Sequence, residues 1–180
     1  PAAGRSPFSL QERQTWLALE RQAFTQAGHI CTRSQLVRDS IIHDYAIAPE
    51  RVTVIGGGIN FVPLPSPVEH GPKAQPTALF VGKELYRKGG DVLLRAFAEA
   101  RQVVPEARLI LLTAGPIPSD LPQAGVEMVR PTWDREVIAD LYRRGDLFVL
   151  PSRLETWGDV LLEAMGYGLP CIGVMGQAME

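Results

Sequence analysis

Two groups of residues in this sequence have the chemistry to hold a charged ligand. The first is the turn Gly82-Lys83-Glu84-Leu85-Tyr86-Arg87-Lys88-Gly89-Gly90, which follows one apolar run and opens another. Glycines let a ligand approach the backbone closely, and a helix N-terminus presents free N–H groups to an anion. Lys83 and Lys88 could then neutralise a diphosphate. A solvated basic turn is the alternative, because the spacing matches neither the Walker pattern nor the dinucleotide fingerprint. The second group lies between Pro151 and Met165. Thr156, followed three residues on by Asp159, resembles a capping box ahead of an apolar run. That places Glu155 on a loop and Glu163 one to two turns into a helix. Val160, Leu161, Leu162, Ala164 and Met165 surround Glu163, so the helix is apolar nearly all round. Burying a carboxylate there without a partner costs several kcal/mol. A sugar or ribose diol can be that partner, since an ionised carboxylate accepts hydrogen bonds from two hydroxyls. A lysine or arginine would serve as well, and spacing alone does not choose.

These residues need elements to carry them. Apolar residues at helical spacing run from about Ser9 to Ala27, with Trp16 and Phe24 expected in a core. His29 to Thr32 is a short strand, and Ser34 caps a helix reaching about Tyr45. Val52 to Ile55 is a strand, stopped by Gly56-Gly57-Gly58. Prolines at 63, 65, 67, 72 and 76 remove backbone donors and make a stiff linker. Strands and helices then alternate. Strands are expected at 78–81, 108–113, 126–129, 147–150 and 170–174, and helices at 90–104 (holding Phe97 in the core), 134–144 and 159–167. Continuously apolar strands between helices imply a doubly wound parallel α/β sheet, whose ligands bind beyond the carboxyl ends of the strands. The loops to inspect are therefore 82–90, 114–118, 130–133 and 151–158.

Size and charge narrow the field. The 180 residues, 46% hydrophobic, suffice for one packed core and are too few for two complete large domains. A net charge of −2 gives no global pull toward nucleic acid. Cys31 and Cys171 sit in apolar stretches and read as buried reduced thiols of a cytoplasmic protein. His29, His43 and His70 show no ligand spacing, and no apolar run reaches the ~18 residues of a spanning helix. Trp133 is either a helix staple or a cleft residue. Arg143-Arg144 suits a helix C-terminus, and Arg135 and Glu136 read as solvated surface.

Glu155 and Glu163, with seven residues between them and Ala164-Met165-Gly166-Tyr167-Gly168-Leu169-Pro170 following, resemble the E-x7-E motif of retaining GT-B glycosyltransferases, notably glycosyltransferase family 4. The Gly82 to Gly89 turn is similar to that family's Gly-Arg-Leu-x-x-x-Lys-Gly signature, and Val52 to Asn60 resembles the strand and glycine loop closing its N-terminal domain. The resemblance implies a GT-B protein in pieces: residues 1–62 the last part of the acceptor domain, 63–76 a linker, and 77–180 a Rossmann-like donor-binding domain cut short at its C-terminus. It further implies transfer of a sugar from a nucleoside-diphosphate sugar to a glycan, lipid-linked or small-molecule acceptor, with anomeric retention and no metal. Lys83 and Lys88 would hold the diphosphate and ease its departure. Glu155 would contact the sugar and stabilise developing positive charge, and Glu163 would bind the ribose. Backbone N–H groups around Trp157, Gly158 and Asp159 would help hold the anion, Val129, Arg130 and Pro131 would lie against the base, and Gly82 would be among the donor-binding residues. The implied location is cytoplasmic, with room for peripheral association at the inner face of a membrane.

Several positions depart from the family pattern. Lys83 stands for an arginine, losing the bidentate fork. Glu84 and Asp159 stand where apolar residues are usual, Arg130 where glycine is, and Trp157 for phenylalanine. These bear on which nucleotide and sugar are bound. The rival readings are a sugar-nucleotide epimerase or glycan phosphorylase on the same fold, and a non-catalytic nucleotide-sugar-binding module. No cofactor-lysine motif of a phosphorylase is found.

Overall fold

The computed structural model describes residues 8–59, 61–68, 73–155 and 157–176. They form two compact units that divide between Gly57 and Gly58. Asn60, His70 and Thr156 lie outside the described residues.

The first unit contains α1 (Leu10–Gln26), β1 (Ile30–Thr32), α2 (Gln35–Tyr45) and β2 (Val52–Val54). Ser9 caps α1 in a reciprocal capping box with Glu12, which satisfies two donors that the first turn leaves open. β1 and β2 pair in parallel, with Ile30 opposite Val52. Ile30, Ile41, Ile47 and Val52 make a small core, joined by Phe24, whose ring meets Tyr45 edge-on at 4.9 Å. Two expectations are corrected here. Trp16 is 61% exposed and α1 buries no residue, because only its last turn, at Phe24 and the following Ala27, reaches this core. Cys31 is exposed, because alternate residues of a strand face opposite ways and Ile30 and Thr32 take the inward positions.

The second unit is the doubly wound sheet. β3 (Thr77–Val81), α3 (Gly90–Val103), β4 (Arg108–Leu112), β5 (Val126–Val129), α4 (Arg135–Arg144), β6 (Leu147–Val149), α5 (Asp159–Gly166) and β7 (Cys171–Ile172) follow in order. The strands lie in the order β5-β4-β3-β6-β7, all parallel. Leu79, Phe80, Leu109, Ile110, Leu111 and Phe148 are buried in the strands, and Leu94, Phe97, Leu141, Tyr142 and Leu161 bring the helices onto them. Burial of continuous apolar strands beneath helices holds the domain together, at roughly 25 cal/mol per Å² of apolar surface removed from water.

The strand order has a consequence for function. From β3 the chain winds outward through β4 and β5, then returns to lay β6 on the other side of β3, with Ala78 opposite Leu147. A crevice opens where the winding reverses, between the loops leaving β3 and β6. Segment 61–68 packs on this unit too: Phe61 is in its core, and the Val68 N–H donates to the Tyr167 carbonyl at 2.9 Å.

Candidate functional site

The loop after β3 is built tightly. The Gly82 N–H donates to the Leu112 carbonyl at 2.9 Å, and the Lys83 carbonyl accepts from the Ala114 N–H at 2.9 Å and the Thr113 hydroxyl at 3.1 Å. The 114–118 loop thus anchors the turn at Ala114 and contributes no residue to the cleft lining. Gly89 adopts φ 73°, and a Cβ there would overlap the Pro151 carbonyl, so the glycine lets the β3 and β6 loops touch. Further ties run between the same loops. Arg87 holds Glu84 through two hydrogen bonds, at 2.8 and 3.0 Å, and donates to the Leu154 carbonyl at 3.1 Å. Arg153 grips both oxygens of Asp91, at 2.6 and 2.8 Å. Bidentate guanidinium–carboxylate pairs of this kind fix geometry as well as charge. Glu84, unusual on the family pattern, is explained by its grip on Arg87.

The loop after β6 brings Glu155 against Lys88 in an ion pair shielded from solvent. Glu155 is 5% exposed and also accepts from the Ser152 hydroxyl at 3.2 Å. Burial pushes its pKa up, and the hydrogen bond and charge of Lys88, helped by the Trp157 N–H and Ser152, more than offset that and hold it below the ordinary value. Glu155 is therefore a carboxylate at neutral pH. α5 begins at Asp159 with Gly158 as its N-cap, in the left-handed region at φ 83° and without a side-chain cap. The expected cap, Thr156, lies outside the described residues; the position adjoining the helix is glycine.

Glu163, on α5, is 8% exposed. Its Oε2 accepts from the buried Tyr142 hydroxyl at 2.8 Å, and its Oε1 lies 3.9 Å from the Arg135 guanidinium. Burial raises its pKa, and the Tyr142 hydrogen bond and the Arg135 charge offset only part of that.

A cleft of about 360 Å³ lies at this edge of the sheet. Gly82, Lys83, Lys88, Pro131, Asp159 and Glu163, all expected site residues, line it. Glu155 reaches it through Lys88. Arg130, Trp157 and Gly158 are not among the lining residues, and Arg130 points to solvent just past β5. Trp133, left open between staple and cleft, is 84% exposed on the rim, with the Lys83 ammonium 3.9 Å from its ring centroid. Arg135 is exposed, as expected, and it also lines the cleft and lies 5.3 Å from the Phe61 ring. Its helical position, one residue past the Asp134 cap, turns it toward Glu163. Tyr142 was missed altogether, because a tyrosine at an apolar helical position reads as core. The arrangement offers two cations to an anion, one buried carboxylate to hydroxyl groups, and an aromatic rim to a flat ring. Among the described residues, no three His, Cys, Asp or Glu side chains come together where they could hold a metal ion, and no helix is long and apolar enough to cross a membrane.

Residues 75–179 match the family model described as glycosyl transferases group 1. A D-inositol 3-phosphate glycosyltransferase of Thermobispora bispora is 32% identical over 174 residues, covering 84% of this chain and 41% of the relative. Another, from Streptomyces coelicolor, is 28% identical over 189 residues, covering 85% of this chain and 41% of the relative. The chain thus spans about two fifths of the length of these relatives. Among solved structures, WaaG, a glycosyltransferase involved in lipopolysaccharide biosynthesis, superposes with a TM-score of 0.70 at 23% identity, covering 94% of this chain and 50% of that one. The likeness establishes a GT-B fold. On the match over residues 75–179, the chain belongs to the glycosyl transferases group 1 family.

Proposed function

We propose that this chain forms the donor-binding part of a retaining glycosyltransferase, which moves a sugar from a nucleoside-diphosphate sugar to an acceptor hydroxyl in the cytoplasm. The observation that carries the reading is the meeting of Lys83, Lys88 and Glu163 on one cleft at the winding reversal of a group 1 sheet. In transfer, the bond from the anomeric carbon to the diphosphate oxygen breaks, the acceptor oxygen bonds to that carbon, and the acceptor proton is released. Negative charge grows on the departing diphosphate. Lys83 and Lys88 would supply the positive charge that lowers that barrier. Their charge takes the part a metal ion would otherwise play, and the proposal includes no metal. Glu163 would accept the ribose hydroxyls. Glu155 serves first as the partner that fixes Lys88, and in transfer faces the sugar as positive charge develops at the anomeric carbon.

Calorimetric titration of the folded chain with UDP, GDP and ADP at fixed salt tests the donor site. Weak binding of at least one, abolished in Lys88→Met, is expected. No heat from any of them would remove the assignment. In the intact protein, Glu155→Ala should lose transfer, and equal activity would take Glu155 out of the mechanism.

A further inference from the structure

The two oxygens of Glu163 have different surroundings. Oε2 accepts the Tyr142 hydroxyl at 2.8 Å inside the core, whereas Oε1 is turned to the cleft side, where the half-exposed Arg135 stands 3.9 Å away. Tyr142 is fully buried and its ring cannot easily move. It stacks on Tyr167 with centroids 5.3 Å apart and planes 11° apart, and meets Phe61 edge-on at 6.4 Å. The hydroxyl also points to the Val160 carbonyl at 3.3 Å, one helical turn before Glu163. A rigid phenol thus holds one carboxylate oxygen and, through the backbone, the helix that carries it.

We infer that Tyr142 is a positioning residue: it fixes the plane of the Glu163 carboxylate so that Oε1 alone is presented to the ribose of the nucleotide. The inference rests on the donor-site reading above. Its physical content is that a buried carboxylate left to rotate would divide its time among orientations, and would also lose a donor that favours its charged form. The groups facing Glu163 are Tyr142 and Arg135 from α4, Asp159 from its own helix, Tyr167 beyond it, and Lys83 and Lys88 along the cleft. Arg143 and Glu136 act on Tyr167. Cys171 of β7, near Tyr142, is pushed by burial up to about 11 and is uncharged at neutral pH. Burial raises the Glu163 pKa and Tyr142 opposes it, so removing the hydroxyl should move ionisation of Glu163 to higher pH.

The test is a double-mutant cycle of Tyr142→Phe and Glu163→Gln, measuring affinity for UDP, GDP and ADP over a range of acidic to neutral pH. Tyr142→Phe should weaken nucleotide binding on the order of tenfold, as expected for one lost hydrogen bond to a charged group, and move the acidic limb of the profile to higher pH. Glu163→Gln should bind weakly with that limb absent, and adding Tyr142→Phe to it should change nothing further. Should Tyr142→Phe alone fail to fold, the comparison within the Glu163→Gln background, where no buried charge is orphaned, decides by itself. A Tyr142→Phe profile superimposed on wild type, or an equal loss from Tyr142→Phe in both backgrounds, overturns the inference while leaving the donor site intact. Failure of the folded wild type to bind any of the three nucleotides overturns the donor-site reading and this inference together.

Discussion

Lys88 and Glu155 show how a single contact joins stability to chemistry. Both are largely shielded from solvent, and removing Lys88 takes away the cation paired with the buried Glu155 carboxylate, leaving it hydrogen-bond donors. Breaking such a pair costs about 3 kcal/mol. The pH dependence has a definite sign. The folded-state pKa of Glu155 is held below the ordinary 4.5, so its contribution is complete above that value and lost as pH falls through the folded value. In Lys88→Met the pull of the lysine is gone while burial still favours the neutral form, so the Glu155 pKa rises from its folded wild-type value. Urea unfolding should therefore find Lys88→Met less stable by about 3 kcal/mol at neutral pH, with the gap narrowing on acidification. A gap independent of pH would mean that the lysine contributes through packing alone. At this scale the types and spacing of the lysines and glutamates were legible in the sequence. Their pairing was not, because Lys88 and Glu155 are far apart along the chain and nothing local selects one carboxylate over the other. Tyr142 and Arg135 were hidden for the same reason: a core tyrosine and a first-turn arginine have ordinary local explanations.

The elements that deliver these side chains depend on a few backbone positions. Gly89 caps α3 with φ 73° and lies against the Pro151 carbonyl. An alanine there suffers both a left-handed conformation that L residues avoid and an overlap with backbone that cannot swing away. Gly89→Ala should lower stability by more than about 2 kcal/mol, read as a drop in melting temperature, and should weaken nucleotide binding even where the variant stays folded, because the β3 loop must withdraw from the β6 loop. Unchanged melting would show that the two loops are not packed as described. The order and type of the elements were readable from apolar periodicity and turn residues, as in α4 with Asp134 accepting from the Glu136 and Val137 N–H groups at 3.0 and 3.4 Å. At the start of α5 the expected cap, Thr156, lies outside the described residues, and Gly158, in the left-handed region, takes the position next to the helix.

The whole molecule divides its stability unevenly. Among the described residues, the second unit has a broad core running through five strands and three helices, whereas the first has four buried apolar residues in its core and a helix that buries none. Amide exchange follows local stability. Protection should therefore be strongest in β3 and β4 and weak along α1, and saturating UDP, or whichever nucleotide binds, should add protection in 82–90 and 151–163. Binding at a hundred times Kd stabilises the binding-competent unit by about 2.7 kcal/mol. Equal protection in α1 and β4 would contradict this division. Added protection confined to the first unit would place the nucleotide elsewhere.

By itself the sequence determined which segments become strands and helices, since alternation, apolar runs and proline or glycine breaks act within a few residues. It also supplied the cations and carboxylates that a nucleotide sugar would need. It could not determine which strands become neighbours, because that choice is made by packing between segments remote along the chain. Only the tertiary structure decided that β6 returns to lie beside β3, and with that single adjacency the loops bearing Lys88 and Glu155 meet, and Tyr142 comes beneath Glu163.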